Sequence, residues 1–219
     1  MSEELGGLLA EGDHLCVNGG GAFGCMGALN KGAHAKGGKV LGVIHDMFVV
    51  EEEDKTIQNM LVSKGDTLSE RKQLLVDNSD CIIVLPGGVG TLDELWESTC
   101  NRSLRLGGME KIPICVLNVD GYYDGSLAQL SRAFKDGLLY NQTEQYFHVE
   151  SDSSAAIAWC LEEVARENAE TDASMPSTKS NDRKSTRSKF AWDTTSFLGG
   201  VGVGVLTMSV LMRLRLINK

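Results

Sequence analysis

Residues 81–97, CIIVLPGGVGTLDELWE, leave this chain few folds to choose from. Residues 81–85 form an uninterrupted apolar run, rich in β-branched side chains, which reads as a strand buried on both faces. Pro86 has no N–H to give a sheet ladder and ends the run. Gly87, Gly88 and Gly90 then permit a tight turn with exposed N–H groups, and Thr91 reads as the N-cap of a following helix. Asp93 and Glu94 are expected in its first turn, where carboxylates suit the helix dipole. A strand, a glycine loop and a helix N-terminus in that order form a site for an anion such as phosphate. A carboxylate at Glu94, beside that cradle, points to chemistry on something attached to the phosphate.

The same alternation runs through the chain. Leu5, Leu8 and Leu9 predict a helix over 2–11, followed by a strand at 14–18, the glycine run 19–27 and a helix to about residue 36. Strands are expected at 39–44, 57–62, 112–117 and 146–149, and helices at 69–78, 126–135 and 154–167. This pattern predicts an α/β fold, a Rossmann-like doubly wound parallel sheet with helices on both faces. A length of 219 residues accommodates one such domain, taken as 1–168, and an appendage.

Beyond residue 168 the composition changes. Residues 169–191 are polar and basic and read as a flexible linker. Residues 197–212, FLGGVGVGVLTMSVLM, carry no charge and are followed by Arg213 and Arg215. As a helix they span about 24 Å, and counting from Trp192 brings the segment to about the length of a transmembrane span. Residues 192–219 are therefore expected to be a membrane anchor that tethers a cytosolic domain to an intracellular membrane.

Charge is unevenly divided. Residues 171–219 hold eight Lys or Arg against three Asp or Glu, leaving residues 1–170 with thirteen against twenty-seven, a net −14. So acidic a domain is a poor partner for a nucleic-acid backbone, but is compatible with a small phosphorylated ligand held by local donors. The six cysteines make no CxxC pair and no zinc-ligand spacing. Cys16, Cys81 and Cys115 lie in apolar runs and read as buried thiols of a reducing compartment.

Gly19, Gly21 and Gly24 after a strand match a dinucleotide fingerprint, with Asp46 about 20 residues on. That reading makes the chain a nicotinamide-dependent oxidoreductase, but leaves the second glycine loop and its glutamate unexplained. Four segments taken together say more: GGGAFGCMG (19–27), SERKQLL (69–75), LPGGVGTLDE (85–94) and LNVDGYYD (117–124). In this order the chain resembles the Lonely Guy family of cytokinin riboside 5′-monophosphate phosphoribohydrolases, whose members often carry the label lysine decarboxylase. The resemblance covers about residues 1–165.

It implies a homodimer that hydrolyses the N-glycosidic bond of a nucleoside 5′-monophosphate, AMP or a cytokinin riboside monophosphate, with no metal and no cofactor. Matched to the family's motifs, Arg71 and Glu94 are the catalytic pair. Lys72, Gly88, Gly90, Thr91 and Asp93 match substrate-binding positions, with Gly87 in the same loop, Glu53 at the spacing of another binding acid, and Gly20, Gly21 and Gly24 lining the pocket. Against the family's pattern, Met1 falls where its first helix begins, so the first strand, central in the sheet, has no counterpart. Either the chain is an incomplete gene product or the sheet closes another way. The rival class is a binding protein on the same fold, a nucleotide or molybdenum-cofactor carrier or an inactive homologue tethered to a membrane.

Overall fold

The computed structural model describes residues 1–49, 56–174 and 211–215. Its strands are β1 (Leu15–Asn18), β2 (Lys39–His45), β3 (Asn59–Ser63), β4 (Cys81–Val84), β5 (Ile114–Leu117), β6 (His148–Glu150) and β7 (Leu211–Arg215). Its helices are α1 (Ser2–Glu11), α2 (Gly24–Ala35), α3 (Ser69–Asp77), α4 (Val89–Leu104), α5 (Asp124–Lys135) and α6 (Ser153–Ser174). The strands form one sheet in the order β3-β2-β1-β7-β4-β5-β6. The first six run parallel, which gives the expected doubly wound α/β architecture.

Strand alternation assigns the two faces. Cys81, Ile83 and Leu85 share one core with Cys16, Val40, Cys115 and Leu117, covered by Leu5 and Leu9 of α1, Leu29 of α2 and Ala156 and Cys160 of α6. Ile82, Val84, Ile114 and Val116 face the other way, onto Leu95 of α4 and Tyr123. Val17, Leu41 and Val43 continue that second face onto Leu75 of α3. Cys16, Cys81 and Cys115 are buried free thiols, as expected.

Three expectations are corrected. The last helix runs past residue 167 to Ser174, into the segment assigned to the linker. Trp96, an apolar side chain whose place on a helix predicts core packing, is instead 37 % exposed on α4. Where the end of the expected tail helix falls among the described residues, it is a strand. Leu211 and Met212 belong to β7, which runs antiparallel between β1 and β4 in the middle of the sheet. An apolar run satisfies either periodicity, so hydrophobicity alone did not separate helix from strand; sheet pairing did. Among the described residues no helix is long and apolar enough to cross a membrane. The rest of the expected anchor, 192–210 and 216–219, lies outside the described residues, as does Glu53.

Candidate active site

Two glycine loops leave the carboxyl edge of the sheet on either side of the point where strand order reverses, the place where open α/β sheets bind ligands. The loop after β1 is held from beneath by two buried amides. Asn18 accepts from the Gly20 N–H through Oδ1 (2.9 Å) and donates through Nδ2 to Asn30 Oδ1 (2.7 Å). Asn30 in turn donates to the Gly21 carbonyl at 3.2 Å. Both asparagines are completely buried. Sequence reasoning passed over them, although a buried amide on the inner face of a helix otherwise made of Ala, Gly, Leu and Met needs a partner. Gly20 and Gly24 take φ of 75° and 61°, the left-handed region that favours glycine.

In the loop after β4 the helix starts earlier than the sequence suggested. Gly88, not Thr91, is the N-cap, and the first helical bond runs from Leu92 N–H to the Gly88 carbonyl. Thr91 is buried in the first turn, so close to Gly87 that a Cβ there would lie 2.1 Å from Thr91 Oγ1. Asp93 and Glu94 consequently sit one turn inside the helix, and its first turn holds no acid. Tyr122 and Tyr123 clamp this loop from the far side. Tyr122 Oη donates to the Gly87 carbonyl (2.7 Å) and Tyr123 Oη to that of Leu85 (2.6 Å), with the rings edge to face at 5.1 Å.

Between the loops lies a buried ion pair. Arg71 of α3 is 1 % exposed and Glu94 of α4 is 4 % exposed. Arg71 Nη1 donates to Glu94 Oε1 at 2.8 Å, and Nε donates to the Val43 carbonyl at 2.9 Å. That carbonyl is available because the β1–β2 ladder ends at Asn18 and Gly42. Arg71 Nη2 makes no hydrogen bond among the described residues and abuts Gly19, where a Cβ would lie 2.3 Å away. The next residue, Lys72, stands on the outer side of the same two helices. It pairs with Asp93 Oδ2 (3.0 Å) and with Glu97. Burial pulls the Lys72 ammonium down, but hydrogen bonds to Glu97 and Asp93 outweigh it and leave its pKa raised.

Arg71, Glu94 and the glycines 20, 21, 24, 87, 88 and 90 are thus brought to one edge of the sheet, while Lys72 and Asp93 are spent on each other beside it. A narrow cleft of about 40 Å³ between α3 and α4, lined by Ser69, Lys72, Glu94 and Ser98, reaches the Glu94 side of the pair. A larger cavity of about 180 Å³ lies farther along α4, at Arg102, Arg105, Asn141 and Tyr146, and touches neither Arg71 nor Glu94. Its size does not make it the site of chemistry. Outside this site, His45 is buried and bonded through Nε2 to the Gly65 carbonyl at 3.0 Å.

A Rossmann-like sheet with a buried Arg–Glu pair between two glycine loops defines the class, and comparison with known proteins agrees. The family described as "Possible lysine decarboxylase" matches residues 26–160, more than half of the chain, and the chain belongs to it. A cytokinin riboside 5′-monophosphate phosphoribohydrolase of Mycobacterium tuberculosis is 40% identical over 140 residues, 64% of this chain and 70% of that protein. Proteins of the same name from Arabidopsis thaliana and Mycobacterium marinum are 34% and 35% identical, over 67% and 73% of this chain. The chain spans 62% of the Arabidopsis protein and 83% of the M. marinum one. Among solved structures, the molybdenum cofactor carrier protein of Chlamydomonas reinhardtii shares the fold, with a TM-score of 0.53 and 22% identity over 75% of this chain and 86% of that one. The molybdenum cofactor binding protein of Rippkaea orientalis does so with a TM-score of 0.52 and 21% identity, over 74% and 84%.

Proposed function

We propose that this chain hydrolyses the N-glycosidic bond of a nucleoside 5′-monophosphate, releasing the free base and ribose 5-phosphate. The observation that carries the reading is the buried Arg71–Glu94 pair set between the two glycine loops. The 5′-phosphate is bound at the N-terminus of α4 by loop amides at 87–91 and the helix dipole. Holding that remote group orients C1′ of the ribose at Glu94. As the C1′–N bond breaks, positive charge grows on the ribose; the Glu94 carboxylate stabilises it or takes a proton from the attacking water. Arg71 fixes that carboxylate, and its unused Nη2 donor faces the loop at Gly19, where substrate oxygens would lie. Relatives named for this activity, at 34–40% identity, support the assignment.

A homodimer belongs to the same proposal. Phe23, Met47, Val89 and Tyr122 are exposed at the carboxyl edge, and a second copy would cover them. Glu53 is proposed as a further binding acid. The rival reading, a carrier, draws only on the shared fold of the molybdenum cofactor proteins.

The test incubates purified protein with AMP and with isopentenyladenosine 5′-monophosphate and follows free base and ribose 5-phosphate by chromatography. Base release that falls about 10²–10⁴-fold in Glu94→Gln is expected. Nucleotide binding without release in the unaltered protein would leave the carrier.

A further inference from the structure

The parallel strands fall into two halves, β3-β2-β1 and β4-β5-β6, and the strand that joins them comes from the far end of the chain. β7 pairs with Leu15, Cys16 and Val17 on one edge and with Cys81, Ile82, Ile83 and Val84 on the other. The residues it meets are buried: Cys16, Val17, Ile82, Ile83 and Val84 all have zero exposure. An open slot there would leave two rows of backbone N–H and C=O groups unpaired and out of reach of water. Strands lie about 4.8 Å apart, so β7 also sets β1 and β4, and with them the two glycine loops, about 9.6 Å apart. It enters the sheet at the carboxyl edge, since Leu211 stands opposite Val84.

We propose that residues 211–215 are an intramolecular strand complement that fills the slot at the reversal point and holds the two loops at their working separation. The segment read from hydropathy as the end of a membrane anchor is thereby part of the catalytic scaffold. It excludes a membrane helix through residues 211 and 212, because the same backbone groups cannot bond both along a helix and across a sheet. The structural claim stands without the proposed activity; only its catalytic consequence rests on that reading.

Register supplies the test. Leu214 is the partner of Cys16 on one side and of Cys81 on the other. Directly opposed residues of an antiparallel pair have Cα atoms about 4.5–5.5 Å apart, within disulfide range. In the full chain with Cys25 and Cys100 replaced by serine, Leu214→Cys is expected to give, on slow mild oxidation, an intrachain disulfide to Cys16 or Cys81, mapped by mass spectrometry. In parallel, Leu214→Pro, which removes an N–H from the middle of a sheet, is expected to speed amide hydrogen exchange at 15–17 and 81–84 at least tenfold and to lower base release. Should that variant not fold, the cross-link alone decides. A thiol at 214 that alkylates as fast as in denatured protein would overturn the proposal, as would an interchain disulfide, which would assign the slot to a second copy. Cross-linking without base release from any nucleotide would keep the strand and refute the hydrolase.

Discussion

Arg71 and Glu94, 23 positions apart, meet at 2.8 Å inside the protein, while their neighbours Lys72 and Asp93 meet at 3.0 Å on its surface. The two pairs are rungs of one ladder between α3 and α4, and they differ in cost. A surface rung contributes about 0–1 kcal/mol, whereas breaking a buried pair strands a charge away from water. Arg71→Met is therefore expected to destabilise the fold by about 3–5 kcal/mol, and adding Glu94→Leu should recover much of that loss. Urea denaturation of the single and double variants checks it; equal stability of the two would show that the pair is not buried as a unit.

Gly19→Ala tests the packing of the guanidinium. The backbone at Gly19 is not left-handed, so alanine brings no dihedral strain, but its Cβ would meet Arg71 Nη2 at 2.3 Å. Arg71 is tethered at Val43 and Glu94, so it yields only by disturbing the pair. Base release should fall about tenfold or more in kcat/KM. Unchanged kinetics would mean that the guanidinium has room to move.

Asn30→Ala removes the donor to Gly21 and the acceptor for Asn18 together. Leaving such buried groups unpaired costs about 1–3 kcal/mol. If the loop holds substrate, KM should rise more than kcat falls, and thermal unfolding gives the stability term separately. A loss of stability with KM unchanged would confine Asn30 to a structural part.

Alkaline pH should loosen the core. Burial pushes the Cys16 thiol from 9.0 up to about 12, against a smaller opposing effect of its hydrogen bond with Asn18. The Tyr123 hydroxyl is also raised, by burial first and then by Tyr122 and Cys25. Both groups keep their protons longer in the folded than in the unfolded chain. The stability they contribute is whole below pH 9 and is lost as pH climbs through the folded value of Cys16, near 12. Unfolding midpoints from pH 8 to 11 should fall, and fall less steeply in Cys16→Ala. Parallel curves would remove Cys16 as a cause.

Much of this was legible in the chain itself, because it rests on short-range physics. Alternating apolar runs and glycine punctuation marked the six parallel strands, and the run 81–85 announced a strand buried on both faces, as Cys81, Ile82, Ile83 and Val84 are. The two glycine loops were visible for the same reason. Helix starts were less so: Thr91 looked like a cap, but the extended backbone at Gly88 begins α4 three residues sooner and buries the threonine. Asn18 and Asn30 were silent because their value lies in each other, 12 residues apart.

What the sequence by itself determined was the kind of element at each place and the residue types gathered near the glycine loop at 87–90. The tertiary structure alone decided which of them touch. It buried Arg71 against Glu94 and left Lys72 to Asp93, since only one face of α3 meets the sheet. It also put 211–215 into the sheet rather than a helix. Periodicity cannot make that choice for an apolar run; the unpaired backbone edges of β1 and β4, distant in sequence and adjacent to the same gap, can.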